Sequence, residues 1–438
     1  MIEPTQRRIR TVPAAALVVA SMVGTGVFTS LGYQVGPIPS GPALMLVWAL
    51  GGLLALCGAL CYAELGGALP RSGGEYHFIS TLYHPSMGWA AGLISVVVGF
   101  AAPTALAAIP LGNYAHSAVD WLPAKAVSIT ALVAVTAGHL ITLKSSAWLQ
   151  TVSTILKLSL IVGFVVASFV LPGKGDVRWE PKLTEDLTII LQPTYAIALL
   201  FVFYAYSGWN AAIYILDEIE DVRRTLTRAL LLGTVLVTIL YLLLNMAFLR
   251  AAPLASLQGV NEVGFAAAVS LFGEEAARWF SGLLSLGLVA TVSALIWAGP
   301  RVLNVMGRDF PAIRLLGQRN RHGIPVAATL LQFLLALIFV CVGDFERLLT
   351  YTQFGLTLCS FLTVAGIFIL RSRREAVPGA FRCPWFPLPP MIFLAMTGFV
   401  MVRSFIAAPV PTLAGLGTIL LAWLLYFPLR RVKLPASR

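Results

Sequence analysis

The sequence predicts an all-α integral membrane protein of about twelve spans, two of them broken. Three observations predict it. Hydrophobic residues make up 58% and charged residues 11% of the 438-residue chain, and its mean hydropathy is +0.86. A water-soluble globule of this size cannot hide so much apolar surface. The apolar residues gather in runs of about 20, the length a helix needs to cross a bilayer. Finally, Gly24-Thr25-Gly26 and Ser207-Gly208 interrupt two of those runs. Hydrocarbon cannot satisfy freed backbone groups, so such breaks persist where they line a cavity or grip a ligand. The breaks imply a carrier with a binding site at mid-membrane depth.

Taken in order, the apolar runs place spans at 11–35, 43–66, 88–115, 124–143, 147–171, 191–214, 228–250, 277–300, 325–343, 347–370, 388–407 and 411–429. The first follows Arg7, Arg8 and Arg10 as a secretory signal would, but it is too long for a signal's apolar core. Pro103 and Pro110 are expected to bend the third. The longest polar stretches, 172–190, 251–276, 301–324 and 371–387, leave no room for a soluble domain, so residues 1–438 are read as one membrane domain.

Orientation follows from the basic residues. With a cytoplasmic N-terminus, 21 Lys and Arg fall on the cytoplasmic side and 8 on the other, with Lys157 inside the membrane. Positive-inside bias then puts both termini in the cytoplasm. The net charge of +11 is met by anionic lipid of the inner leaflet, with no nucleic-acid partner required. Cys57 and Cys61 lie one helical turn apart without His or carboxylate partners at matching depth, so they read as small apolar packing residues. His77, His84, His116, His139 and His322 sit at span ends or loops without metal-site spacing. No metal and no cofactor is expected.

At Gly24 and Gly26 the missing side chains free the backbone from helical angles and let a ligand approach. An exposed half-helix N-terminus suits a carboxylate, and the carbonyls of a facing half-helix end suit an ammonium. An α-amino acid carries both on one carbon. One glycine pair alone could be a helix packing contact. Two breaks, in spans one and six, are five crossings apart, and an odd offset reverses topology. Residues 11–171 and 191–370 would thus be two inverted five-helix repeats meeting at the site, with 388–429 as two accessory helices.

Gly24-Thr25-Gly26-Val27-Phe28 resembles the Gly-Ser/Thr-Gly-Ile-Phe signature of amino acid-polyamine-organocation (APC) transporters. Tyr62-Ala63-Glu64-Leu65 and Leu69-Pro70-Arg71-Ser72-Gly73-Gly74-Glu75-Tyr76 are similar to that superfamily's second loop. Phe203-Tyr204-Ala205-Tyr206-Ser207-Gly208-Trp209-Asn210 resembles its sixth-span motif in the L-type amino acid transporter branch. Gly299-Pro300-Arg301, Gly307-Arg308-Asp309 and Tyr351-Thr352-Gln353-Phe354 match later landmarks, so the resemblance runs from about Pro13 to Pro387. Asp217-Glu218-Ile219-Glu220-Asp221-Val222 and Thr227-Arg228 depart from it by lacking the usual prolines, and Tyr204 stands where many members carry Phe.

The resemblance implies a LeuT-like fold and a set of roles. Thr25 and Gly26 would bind the substrate carboxylate, and carbonyls around Val23, Tyr204 and Ser207 the amine. Gly24, Ala205 and Gly208 belong to the same unwound stretches. Tyr204 would be the gate, and Asn210 would steady its stretch or touch the substrate. Trp209 is either a packing anchor or a contact. Lys157 would fill the volume that sodium occupies in sodium-coupled members, joining the first and eighth spans, which argues against sodium coupling. A lysine ten residues inside an apolar helix is costly and usually acts in a cavity. Snorkelling to the cytoplasmic face and structural tethering are its other readings, and whether it releases a proton stays open.

Away from Lys157 no Asp, Glu, Lys or Arg lies at mid-depth in spans one, three, six, eight or ten, so a charged substrate side chain would be unpaired. Glu64, Glu75, Asp217 and Glu218 fall at cytoplasmic ends, where helix-end or loop salt bridges are expected. The expected substrate is therefore a neutral amino acid, small to medium in size, carried across the plasma membrane by exchange, proton symport or facilitated diffusion. A transporter-like amino acid sensor, and a carrier of other amines or cationic amino acids, are the alternatives. No converging nucleophile and base support an enzyme. Eukaryotic members of the branch bond a single-span glycoprotein through a cysteine after span three. Residues 116–123 contain none, so no disulfide-linked heavy chain is expected.

Overall fold

A chain this apolar must satisfy its backbone groups within its own segments, and helix does that residue by residue. The computed structural model describes residues 9–141, 143–342, 345–373, 380–407 and 409–430. Arg7, Arg8, Arg374, Arg431, Lys433 and Arg438, which entered the charge count, lie outside the described residues. In chain order the helices are α1 (Thr11–Met22), α2 (Gly26–Gln34), α3 (Gly41–Ala68), α4 (Glu75–Leu82), α5 (Pro85–Ile94) and α6 (Ala102–Ala118). There follow α7 (Ala124–Ile141), α8 (Leu143–Val170), α9 (Leu183–Ile190), α10 (Pro193–Ala205), α11 (Val222–Ala251) and α12 (Leu254–Leu257). The last are α13 (Val263–Phe272), α14 (Glu274–Asp309), α15 (Val326–Val342), α16 (Phe345–Ser372), α17 (Leu388–Ala407) and α18 (Pro409–Arg430). No strand occurs among the described residues, only two isolated bridges, Ile9 with Ile219 and Ser40 with Arg178.

Nine of these segments, some of them consecutive helices taken together, are long and apolar enough to cross a membrane among the described residues, and ten if the bent pair α9 and α10 counts as one. The fifth predicted span corresponds to α8, and the ninth to the shorter apolar helix α15, Val326–Val342. Outward stripes such as Leu232, Leu236, Ile239 and Leu243 on α11, and Leu330, Leu334 and Ile338 on α15, are exposed. Three- and four-residue spacing puts each set on one helix face, where lipid covers it.

Several elements depart from the sequence reading. The polar connection read at 251–276 contains α13, ten apolar residues that reach only about 15 Å at 1.5 Å per residue and lie against α2, α11 and α14. The connection read as starting at 301 begins nine residues later, because α14 continues through Pro300 to Asp309. The third span is interrupted by a π-helical turn at Ser95–Ala101. Pro103 follows it and has no N–H for the carbonyl of residue 99, so the widened turn absorbs the lost bond.

One end of the bundle gathers the basic residues. Arg71 grips Asp309 at 2.7 and 2.8 Å, and Arg301 grips Glu218 at 2.7 and 3.2 Å. Burial works against the Glu218 carboxyl, but the Arg301 guanidinium holds it below its ordinary pKa. Ile9 joins this end through backbone bonds, its N–H to the Glu218 carbonyl at 3.1 Å and its carbonyl to the Glu220 N–H at 2.9 Å. Glu64, 7% exposed, takes both Arg371 nitrogens at 2.7 and 2.9 Å and the Cys383 N–H at 2.6 Å. This is the loop salt bridge expected of Glu64. Glu64→Gln should lower the thermal unfolding midpoint in detergent, at a cost of about 2–3 kcal/mol. That is under the full penalty for breaking a buried pair, because Arg371 keeps partial access to water; no shift would mean the pair is not structural.

Candidate functional site

Both broken stretches meet at the middle of the bundle. Helix α1 stops at Met22, Val23 turns out of helical geometry at φ −73° and ψ 78°, and α2 resumes at Gly26. In the second, α10 stops at Ala205, and Tyr206 to Asn210 form turns around Gly208 at φ +99°. The chain then resumes as a 3-10 helix, Ala211–Glu218. Two glycines make the meeting possible. A Cβ on Gly26 would lie 2.6 Å from the Ala205 Cα, and one on Gly208 would lie 2.8 Å from the Ser21 carbonyl oxygen. Gly208 also needs the left-handed backbone that L side chains resist.

Between the breaks lies a cavity of about 110 Å³. A water needs roughly 10–15 Å³ in this measure, so there is room for a small molecule. Gly24, Thr25, Gly26, Tyr204, Ala205, Ser207, Gly208 and Asn210 all border it. No Asp, Glu, Lys, Arg or His is among the described residues of its wall. The first N–H groups of α2 have no helical partner and carry that helix's positive end.

Val23 and Lys157 are placed differently. Val23 is not on the cavity wall; Ser21 and Met22 are. The Val23 carbonyl instead accepts from Lys157 Nζ and, at 3.1 Å, from Thr291 Oγ1. Lys157 is fully buried, and its Nζ also reaches Thr291 Oγ1 at 3.0 Å and the Ala20 carbonyl at 3.5 Å. A side chain of α8 thus ties the end of α1 to α14.

Other expected side chains carry double duty. The Thr25 hydroxyl donates to the Leu106 carbonyl at 3.1 Å and interacts with Tyr204. Asn210 Nδ2 donates to Glu75 Oε1 at 2.6 Å. Trp209 borders the cavity and also packs edge-on to Tyr62, with centroids 4.7 Å apart. Glu75 departs from the salt bridge expected of it: it is 3% exposed and is held by Tyr62, Tyr214 and Asn210. His139 is buried too, its Nε2 2.9 Å from Ser293 Oγ.

Sequence reasoning missed Tyr241 and Thr291. The Tyr241 hydroxyl lies 2.5 Å from the Met22 carbonyl and 2.9 Å from the Ala205 carbonyl, the last residues of the two interrupted helices. Its single proton serves one at a time. Neither residue announces itself, since Tyr and Thr are ordinary in apolar spans.

An uncharged cavity ringed by the ends of interrupted helices in an apolar bundle is the build of a membrane transporter. The model of the amino acid permease family matches residues 9–427, and the chain belongs to that family. It is 27% identical to Asc-type amino acid transporter 1 of Mus musculus over 432 residues, 95% of this chain and 79% of that protein. It is 24% identical to b(0,+)-type amino acid transporter 1 of the mouse, covering 92% and 84%. To the mouse large neutral amino acids transporter small subunit 2 it is 26% identical, covering 96% and 81%. The family and these relatives are transporters and not enzymes.

Gly26→Val should abolish amino acid binding, because the added carbons enter Ala205, whereas Gly138→Ala, with nothing within 4 Å of its added Cβ, should bind as the parent does. Equilibrium binding of labelled alanine and leucine to purified protein checks this, and unimpaired binding by Gly26→Val would move the site elsewhere.

Proposed function

We propose that the protein carries neutral amino acids across the plasma membrane by alternating access, without sodium, as an exchanger or a proton-linked symporter. One observation carries the reading: the cavity is bordered by the residues at which the two helices break, Gly24 to Gly26, Tyr204, Ala205 and Ser207 to Asn210, and by no charged side chain among the described residues. Such a wall matches an α-carboxylate and an α-ammonium. It would leave a charged substrate side chain unpaired. In this reading Thr25 and Gly26 take the carboxylate. Carbonyls near Tyr204 and Ser207 take the amine, the Val23 carbonyl being held by Lys157 and Thr291 instead, and Tyr204 closes over the substrate. The relatives' names, which speak of amino acids and in one case of large neutral ones, agree with it.

The architecture we infer is LeuT-like: twelve spans, inverted repeats at 11–171 and 191–370, accessory helices at 388–429, and both termini cytoplasmic. Its support is the pairing of helices. Helix α3 packs on α11, α6 on α14, α7 on α15 and α2 on α10, each against its counterpart five crossings on. A pseudo-two-fold axis in the membrane plane brings such counterparts together. Sodium independence rests on Lys157, whose ammonium already occupies the oxygens of Val23, Ala20 and Thr291 that would otherwise face a cation.

Two measurements test these statements in proteoliposomes. Excess unlabelled alanine or leucine should suppress labelled alanine uptake far more than arginine or glutamate does, with no response to a sodium gradient. The opposite preference would sink the neutral-substrate reading, and binding without any flux would mark a sensor. Lys157→Ala should lower the initial rate at least about tenfold, since hydrogen bonds to a charged group are worth about 1.5–3 kcal/mol each; an unchanged rate would remove the lysine from the cycle.

A further inference from the structure

Glu75 opens α4 directly beneath the cavity. Its carboxylate takes three hydrogen bonds: Oε1 from Tyr62 Oη at 3.1 Å and Asn210 Nδ2 at 2.6 Å, and Oε2 from Tyr214 Oη at 2.5 Å. All three donors are neutral. The arginines nearby are paired to other carboxylates, Arg71 to Asp309, Arg301 to Glu218 and Arg371 to Glu64. The titratable groups that face Glu75 are Tyr62 of α3, Tyr214 of the 3-10 helix and Cys359 of α16, none of them a cation. A buried carboxylate without a counter-charge is costly to keep ionised. Burial pushes the Glu75 carboxyl above its ordinary pKa, against the pull of its three donors.

Asn210 and Tyr214 also border the cavity. Glu75 is therefore one side chain away from the substrate space, in contact with the residues that begin the inner half of the broken span. We propose that Glu75 is a proton site loaded through the cavity, and that its protonation loosens the 211–218 half-helix so that a proton crosses with each amino acid. The inference rests on the transport reading above.

The step balances. A hydronium in the cavity gives its proton to Tyr214 Oη while the Tyr214 hydroxyl proton passes to Glu75 Oε2, leaving a neutral carboxyl. Asn210 and Tyr214 then lose a charged acceptor, and charge-assisted bonds are about twice as strong as neutral ones. When the basic end opens, the proton leaves Oε2 for water there. The restored carboxylate draws both side chains back.

The test uses the full chain in proteoliposomes with labelled alanine, recording in the same preparation exchange against internal alanine and accumulation under an inward proton gradient. For one proton per amino acid, the parent should accumulate up to about tenfold per unit of pH difference. Glu75→Gln keeps an acceptor oxygen and cannot titrate, so it should still exchange but lose the accumulation and the pH dependence of exchange. Retained accumulation in Glu75→Gln overturns the inference. So does a parent that exchanges yet never responds to protons, which leaves the transport reading standing. A parent that neither exchanges nor accumulates overturns both. Should Glu75→Gln fail to fold, Tyr62→Phe removes one donor to the charged form without touching the cavity wall. It should move the midpoint of the exchange pH profile upward by about one unit, and an unmoved midpoint overturns the inference.

Discussion

The structure depends on one constraint: backbone polar groups freed in the middle of a membrane must find partners other than lipid. Two interrupted helices free several, and the bundle is arranged to meet them. The Val23 carbonyl is held by Lys157 and Thr291. The Met22 and Ala205 carbonyls share Tyr241. Three helices, α8, α11 and α14, thus each send one side chain to the same few residues. Close approach at Gly26 and Gly208 lets the breaks sit against each other and complete one site.

Charge is distributed by the same logic. Among the described residues the cavity wall carries no charged side chain, but Lys157 lies behind one break and Glu75 behind the other, each one residue removed from the space. Lys157 is met by carbonyl and hydroxyl oxygens, and Glu75 by hydroxyl and amide donors. Each charge is thereby solvated by the protein without a counter-ion in contact.

The breaks were legible because glycine is conspicuous inside an apolar run, and Lys157 because a lysine ten residues inside an apolar helix is costly. The membrane class followed from composition alone. What stayed hidden depends on tertiary placement. Tyr241 and Thr291 matter only because helices distant in sequence bring them to the breaks. Glu75 reads as a loop carboxylate until α4 folds it inward, since nothing local separates a buried Glu from one paired with arginine, and Arg71 lies four residues before it in the same motif. Short helix α13 was hidden for a different reason, being apolar yet too short to span.

The basic end is held by links of unequal strength. Arg10 and Glu220 are 80% and 50% exposed at the side chain, and such a pair is worth about 0–1 kcal/mol. Arg301 and Glu218 are 11% and 24% exposed and meet through two nitrogens, so their separation costs more. Glu218 ends the same 3-10 helix that Tyr214 anchors to Glu75. Four residues apart, the two links hold that half-helix at its middle and its end, Tyr214 to Glu75 of α4 and Glu218 to Arg301 of α14. Opening this end therefore requires that both give way together. Of the two, the Glu75 link is the one whose partners, Asn210 and Tyr214, border the cavity, so in the reading proposed above a signal from the cavity enters there first.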